Sequence, residues 1–394
     1  MSFSVRQFYD QYPDPDLFAQ NLIPPYFPGY TAYLRGRKKA DTVLDAGCGS
    51  GGVILWAAEQ QPETEFTALD FSQTVLEQLS QAEKVLDERN LQFIQGNIEE
   101  DVPELTGRTF DLIILSRVLH ELTNPVEALR RLKDLLSPKG LLYVSVPSAY
   151  AVQPFRDLNP VMDWLKKKND PDELAQLWTE ILIALPREHP VHRSRLFQLF
   201  LQGESRFFAP TLFYLFPPFP VRDYNLPSLF ALARSAGLHV ANIPNHFELE
   251  PEFLFTQRGV LDEWGEPSWR QRMEMGELLS PEAPMLELFL SRDPVQKPLP
   301  AFDPDVPLAV SPLCQVELGG TGEEREARFE FYNGLGGRFE GTQAHWLEEV
   351  LDSPPASANE WKRKGEEGRF RFARNLFERG IVIPLSGTSG EKKT

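Results

Sequence analysis

The sequence predicts an α/β fold: a doubly wound, mostly parallel seven-stranded sheet with an inserted helical cap and a small C-terminal α+β module. Three observations predict it. The apolar run Val43-Leu44-Asp45-Ala46 breaks into the alternating glycines Gly47, Gly49 and Gly51, the pattern of a buried strand turning sharply into a helix. Strand-like runs recur at residues 65–70, 91–98, 110–116 and 141–147, each separated from the next by room for a helix. Beyond them, helical and aromatic-rich stretches interrupt the alternation before two further strand-like runs complete the sheet.

Residues 1–39 form an aromatic, proline-rich approach, Phe8-Tyr9-Asp10-Gln11-Tyr12-Pro13 and then Pro24-Pro25-Tyr26-Phe27-Pro28-Gly29-Tyr30. Its prolines prevent one long helix, so an arm or lid is expected. The main domain spans residues 40–295. Its glycine turn leads into a helix whose first N–H groups lack partners, a ready site for a nucleotide. Gly47, Gly49 and Gly52 also satisfy the dinucleotide pattern G-x-G-x-x-G. The second strand ends at Asp70, 23 residues after Gly47, where a ribose-binding carboxylate belongs in either nucleotide reading.

Residues 149–225 read as the inserted cap, with helical stretches at 174–185 and 192–202 and an aromatic run over 207–219 that ends at Arg222-Asp223-Tyr224. These aromatics are expected to pack together. The core resumes with a helix over 226–236 stopped by Gly237, a sixth strand at 238–243 and a seventh at 285–290. Prolines at 298, 300, 304, 307 and 312 mark a linker, placed at 296–307. The module at 308–385 shows short strands, a Gly319-Gly320-Thr321-Gly322 hairpin turn, a glycine-rich turn at 333–337, helices at 342–351 and 366–379, and a strand at 381–383. This pattern is winged-helix-like. Lys362, Arg363, Lys364, Arg369, Arg371 and Arg374 interleave with Glu360, Glu366 and Glu367, so protein contact or dimerisation is expected of it before DNA reading. Residues 386–394 read as a disordered tail.

A formal net charge of −17 argues against nucleic acid or an anionic membrane as main partner, because such surfaces require concentrated cations. The two cysteines, Cys48 and Cys314, offer no disulfide framework and no metal-ligand spacing, so no metal is expected. With no basic start and apolar core of a signal peptide, a cytoplasmic protein is expected.

Taken in order, Asp-x-Gly-x-Gly-x-Gly from Asp45, the acid Asp70, Gly96-Asn97 after the third strand and Val118-Leu119-His120-Glu121-Leu122 after the fourth resemble the class I S-adenosylmethionine-dependent methyltransferases, over residues 40–148. The resemblance implies S-adenosylmethionine as cofactor. It implies that Asp45 orients the turn and holds the methionyl ammonium, and that Gly47, Cys48, Gly49 and Gly51 lie along the methionine and ribose. Asp70 would accept the ribose hydroxyls, Phe71 would cover an adenine face, Asn97 and Ile98 would meet the adenine edge, and Ser116 would close the site after the fourth strand. The family often has Asp where Asn97 stands. Asp45 also favours methyl transfer over a nicotinamide-dependent oxidoreductase, where an apolar residue is usual.

The chain has no Asn/Asp-Pro-Pro-Tyr/Phe sequence after the fourth strand; residues 115–122 resemble instead the Val-Leu-His-His/Glu pattern of methyltransferases acting on oxygen or carbon of small molecules. His120 is the candidate general base, with a titration near the ordinary imidazole value of about 6.5 if its surroundings leave it unperturbed. The alternative is a helix-start histidine bonded to backbone. Glu121 is expected at a helix start. Tyr150, His189 and His192 are weaker substrate-side candidates. A protein acceptor, or a non-catalytic cofactor-binding regulatory or scaffold role, remain alternatives. Tyr12-Pro13 and residues 205–227 also resemble a bacterial methyltransferase group with an "NPYPR"-type entrance, although the flanking Asn and Arg are absent here.

Overall fold

The computed structural model describes residues 5–11, 40–86, 90–166, 171–202, 215–217, 219–243, 249, 265, 267–280, 283–294, 308–310, 314–331, 336–352, 358–359, 365–378 and 381–384. The chain divides into two compact units, one of residues 1–20 and 41–298, the other of residues 21–40 and 299–394. The expected linker at 296–307 and tail at 386–394 lie outside the described residues. So do Tyr12, Tyr26 and Tyr30 of the expected arm.

The first unit is built on one sheet of β1 (Thr42–Ala46), β2 (Glu65–Asp70), β3 (Leu91–Gln95), β4 (Phe110–Ser116), β5 (Leu136–Pro147), β6 (His239–Asn242) and β7 (Met285–Ser291). Their spatial order is β3-β2-β1-β4-β5-β7-β6. Strands β1 to β5 pair in parallel and β7 runs antiparallel to both β5 and β6. The order reverses between β1 and β4, so the turns that follow them diverge and leave a crevice at the carboxyl ends.

The central strands read as nearly continuous apolar runs because both of their faces are covered. One face, with Leu44, Ile113, Leu142, Val144 and Leu288, packs against α4 (Pro125–Asp134) and α10 (Leu226–Ser235) through Ala128, Leu129, Leu132, Leu229 and Ala233. On the opposite face the register aligns Asp45, Ile114, Tyr143 and Phe289 in one row and Ser116, Ser145 and Glu287 in the next. Polar side chains from four strands thereby share one face near its carboxyl end.

The remaining helices of this unit are α1 (Val5–Gln11), α2 (Gly52–Gln60), α3 (Gln73–Leu86), α5 (Ala149–Arg156), α6 (Asn159–Lys166), α7 (Pro171–Ala184), α8 (Pro190–Arg193), α9 (Arg195–Gln202) and α11 (Trp269–Leu279). Helices α5 to α9 gather around Phe155, Trp178, Phe197 and Phe216, with Val5 and Tyr9 of α1 packed against the cluster. Trp178 and Phe216 stack at 5.0 Å. Phe216 and Phe219 of the aromatic run are buried there; residues 207–214 and 218 are not among those described.

Four local expectations need correction. The third strand stops at Gln95, because the Asn97 side-chain oxygen accepts from the Glu99 N–H at 3.0 Å and turns the chain out of the ladder. The fifth begins early, at Leu136, and shifts register opposite Phe110 and Leu112. That irregularity accommodates Pro138, which has no N–H for the ladder. The helical stretch expected at 192–202 is two helices, broken at Ser194, whose backbone is extended while its carbonyl accepts from Phe197 and Gln198. Glu121 ends a single 3₁₀ turn, Leu119–Glu121, and the first acid of α4 is Glu127.

Helix α10 closes as expected, with Gly237 at φ 72° and Leu238 N–H bonded to the Ala233 carbonyl at 2.9 Å. The second unit comprises β8 (Leu308–Val310), β9 (Cys314–Gly319), β10 (Glu326–Phe331), β11 (Gly336–Glu340), α12 (Thr342–Asp352), α13 (Glu367–Glu378) and β12 (Val382–Pro384). Strands β9, β10 and β11 form an antiparallel meander that precedes both helices, and β12 pairs with β8. The segment Gly319-Gly320-Thr321-Gly322 joins β9 to β10; of the turn at 333–337 only Gly336 and Gly337, which open β11, are described. Phe339 packs between Phe329 and Phe372. Lys362, Arg363 and Lys364 are not among the described residues.

Candidate functional site

The turn after β1 has the backbone of a ligand cradle. Gly47, Gly49 and Gly51 have φ of 85°, 51° and 72°, whereas Gly52 opens α2 with an ordinary helical backbone. The strained positions thus follow the spacing x-Gly-x-Gly-x-Gly and not the dinucleotide pattern that ends on Gly52. A Cβ at Gly51 would lie 2.2 Å from Leu79 Cδ2, so the turn packs directly on α3; one at Gly49 would meet nothing within 4 Å. Gly49 is where the turn is open. Cys48 between them is buried, and burial together with Asp45 and Asp70 pushes its thiol pKa far up, which makes it an inert filler.

Asp70 ends β2 beside this turn. Its Oδ2 accepts from Gly49 N–H at 3.0 Å and its Oδ1 from Ser72 N–H at 2.9 Å. A carboxylate can accept about four hydrogen bonds, so Asp70 keeps capacity for a ribose hydroxyl beside these backbone donors. Burial raises the Asp70 pKa, against the lowering effect of these backbone donors. Asp45, 4% exposed on β1, is raised to about 7, by burial first and by Asp70 second, with Arg117 pulling the other way. A buried carboxyl group poised in this way suits a cationic partner, which would draw it into the ionised form. These features fit an adenosyl group with an amino-acid tail: a diol acceptor, an open glycine and a buried acid awaiting an ammonium.

Phe71 follows Asp70 and lies edge-on to Tyr9, ring centroids 6.4 Å apart. Asn97 is half-buried in the turn after β3, its amide donating to Glu100 Oε1 at 3.1 Å. The side chain of Ile98 belongs to the apolar core. Ser116 ends β4 opposite Ser145.

Past Ser116, Arg117 is the only described non-glycine residue with positive φ, 58°, and its N–H donates to the Ser145 carbonyl at 2.8 Å. A strained residue at a strand end beside a crevice is a functional signal. His120 is 6% exposed, with Nε2 3.7 Å from Glu121 Oε1 and a buried Nδ1 that has no hydrogen-bond partner among the described residues. Burial first, then Arg156 and Arg117, lower its pKa to about 3. The ordinary value near 6.5 therefore does not apply: burial and the two neighbouring arginines disfavour the charged form, so the imidazole stays neutral through the physiological range. The His120 carbonyl accepts from Arg222 N–H at 2.8 Å, while the Arg222 guanidinium holds the Leu122 and Thr123 carbonyls. Arg156 in turn grips Asp223 with both Nε and Nη2.

Several residues here escaped the sequence reading. Tyr9 of α1 donates to Glu121 Oε1 at 2.7 Å across 112 residues of chain. Tyr143 donates to Glu287 Oε1 at 2.5 Å within the sheet, both buried. Glu287 carried a legible signal, a carboxylate inside the apolar run 285–290; Tyr9 was legible only as part of the aromatic N-terminal arm, with nothing to name its partner. His189 caps α8 by accepting from Val191 N–H, and His192 packs edge-on against Phe197, so both serve the cap. Tyr150 is half-buried at the start of α5.

Known proteins agree with this geometry. The sequence profile of the family described as "Methyltransferase domain" matches residues 37–185. The chain is 29% identical over 316 residues to an uncharacterized protein of a Synechococcus strain, covering 76% of this chain and 73% of that protein. It is 38% identical over 105 residues to the malonyl-[acyl-carrier protein] O-methyltransferase of Halalkalibacterium halodurans, covering 26% of this chain and 38% of that one. The fold is similar to PKMT2 from Rickettsia typhi in complex with AdoHcy, with TM-score 0.64 and 15% identity over 92% of this chain and 75% of that one. The profile, the sheet order and the glycine turn converge on a class I S-adenosylmethionine-dependent methyltransferase domain in the first unit.

Proposed function

We propose that the chain methylates an oxygen or carbon atom of a small-molecule acceptor, in the cytoplasm. When bound, S-adenosylmethionine supplies a methyl group on a sulfonium, open to displacement from behind by the acceptor. In this reading Asp70 binds the ribose hydroxyls, Phe71 covers adenine, Asn97 and the Ile98 main chain meet the adenine edge, and Asp45 binds the ammonium. Gly47, Cys48, Gly49 and Gly51 let the backbone approach, and Ser116 borders the methionyl end.

The observation that carries the acceptor reading is the neutral, buried His120 beside Arg117 at the end of β4. An imidazole lowered to about 3 is a poor proton acceptor, so His120 aligns the acceptor through hydrogen bonds and the reaction rests on orientation. Such a site favours a nucleophile that arrives without a tightly held proton, as a carboxylate or enolate oxygen does. The name of the Halalkalibacterium halodurans relative, an O-methyltransferase, supports the same atom. Against a nucleic-acid acceptor stands the net charge of −17. The second unit is read as a protein-contact or dimerisation module.

Incubation with S-[methyl-³H]adenosylmethionine and a fractionated cell extract tests this. Label is expected among small molecules, and its release as methanol by mild alkali would mark a carboxylate ester. Label confined to RNA would overturn the reading; label confined to protein would transfer it to a protein acceptor. Cofactor binding without transfer to any fraction would favour a regulatory role.

A further inference from the structure

Helix α1 contacts the turn after β2 with three of its side chains. The Arg6 Nη2 donates to the Phe71 carbonyl at 2.7 Å, and its guanidinium carbon lies 5.7 Å from the Phe71 ring centroid. The Asp10 Oδ1 accepts from the Ser72 hydroxyl at 2.5 Å, and Ser72 N–H donates in turn to Asp70 Oδ1 at 2.9 Å. Ser72 Oγ also accepts from Val75 N–H at 3.4 Å, at the start of α3. Asp10 therefore fixes the direction of the Ser72 hydroxyl hydrogen, which leaves an oxygen lone pair for the helix N–H. From the same helix, Tyr9 touches both Phe71 and Phe219 at 6.4 Å and reaches Glu121.

We propose that Asp10 and Arg6 are positioning residues of the cofactor site: Asp10 holds Ser72, and through it Asp70, while Arg6 holds Phe71, and Tyr9 ties this seat to Glu121 on the acceptor side. The inference rests on Asp70 and Phe71 being cofactor residues. Coupling of this kind is reciprocal, so cofactor binding must also tighten the docking of α1. Two effects of Asp10 oppose each other: its oxygen orders Ser72, while its charge repels that of Asp70. An uncharged side chain with the same acceptor oxygen separates them.

The experiment is calorimetric binding of S-adenosylhomocysteine to the full chain and to Asp10→Ala, Asp10→Asn, Arg6→Ala and Asp70→Ala, joined to amide hydrogen exchange of the wild type. Asp10→Ala and Arg6→Ala are expected to weaken binding roughly 3–10-fold, the scale of one lost hydrogen bond, while Asp10→Asn restores it. S-adenosylhomocysteine should slow exchange of amides 5–11. Wild-type affinity in both alanine variants with weakened binding in Asp70→Ala would overturn this inference alone. Wild-type affinity in Asp70→Ala as well would overturn the cofactor reading beneath it. Unchanged exchange at 5–11 on ligand addition would overturn the coupling, and that measurement needs no variant to fold.

Discussion

The sheet has two unlike halves on either side of the β1/β4 reversal. On the β1–β3 side the site is local and acidic: Gly49 and Asp70, bonded to each other, are 21 residues apart, and Asp45 sits next to the turn. On the β4–β7 side it is assembled from afar, by Tyr143 and Glu287 across 144 residues and by Arg222 and Leu122 across 100. Each half buries a group whose ordinary charge is disfavoured. Burial raises Asp45 to about 7 beside another acid, and lowers His120 to about 3 beside two arginines. The acidic half is thus arranged for a cation to ionise it, whereas the other half resists protonation. On the proposed function, one half binds by charge and the other positions without it.

The largest effect should come from Asp45→Asn, which breaks the acidic half. The folded pKa of Asp45 lies above its unfolded value of about 3.9, so its contribution to stability is full below that value and is lost as pH rises through about 7. The variant should therefore stabilise the ligand-free protein by about 2–4 kcal/mol at pH 8 and by little at pH 4, measured by urea unfolding. In the wild type, S-adenosylhomocysteine binding should weaken roughly tenfold from pH 8 to pH 6 and release a proton, since only the ionised acid meets the ammonium. An equal gain at both pH values would remove Asp45 from this role.

Next comes Asp70→Ala, expected to lose about 1.5–3 kcal/mol of S-adenosylhomocysteine binding with an unchanged circular dichroism spectrum. A wild-type Kd would place the ribose elsewhere. The comparison sharpens with His120→Gln. Here the folded pKa lies below the unfolded value of about 6.5, so stability present above 6.5 is lost as pH falls toward 3. The wild type should lose about 2 kcal/mol between pH 7.5 and pH 5 from this group, and the variant should not. The two halves then respond to acid with opposite signs. A turnover profile with an inflection near 6.5 that vanishes in His120→Gln would restore it as the base. The smallest effect is expected on shortening the chain to residue 298, which follows the boundary of the first unit: its S-adenosylhomocysteine Kd should stay within about twofold of the full chain. Folding without binding would show that the second unit takes part in the site.

The seven strands and the glycine turn were legible in the sequence because their signals are short-range. A buried parallel strand must be apolar nearly throughout, and Gly47, Gly49 and Gly51 stand where the backbone needs positive φ. Asp45 and Asp70 stand at the ends of such strands, so their place at the crevice followed from the pattern alone. The charge states of Asp45 and His120 did not follow, because they depend on burial and on Asp70, Arg117 and Arg156, brought close only by packing. Tyr9 against Glu121, Asp10 against Ser72 and Tyr143 against Glu287 were likewise decided by tertiary structure. A hydrogen bond between residues far apart in the chain leaves no periodicity to read, whereas strand and turn geometry is imposed by each residue's own backbone and its nearest neighbours.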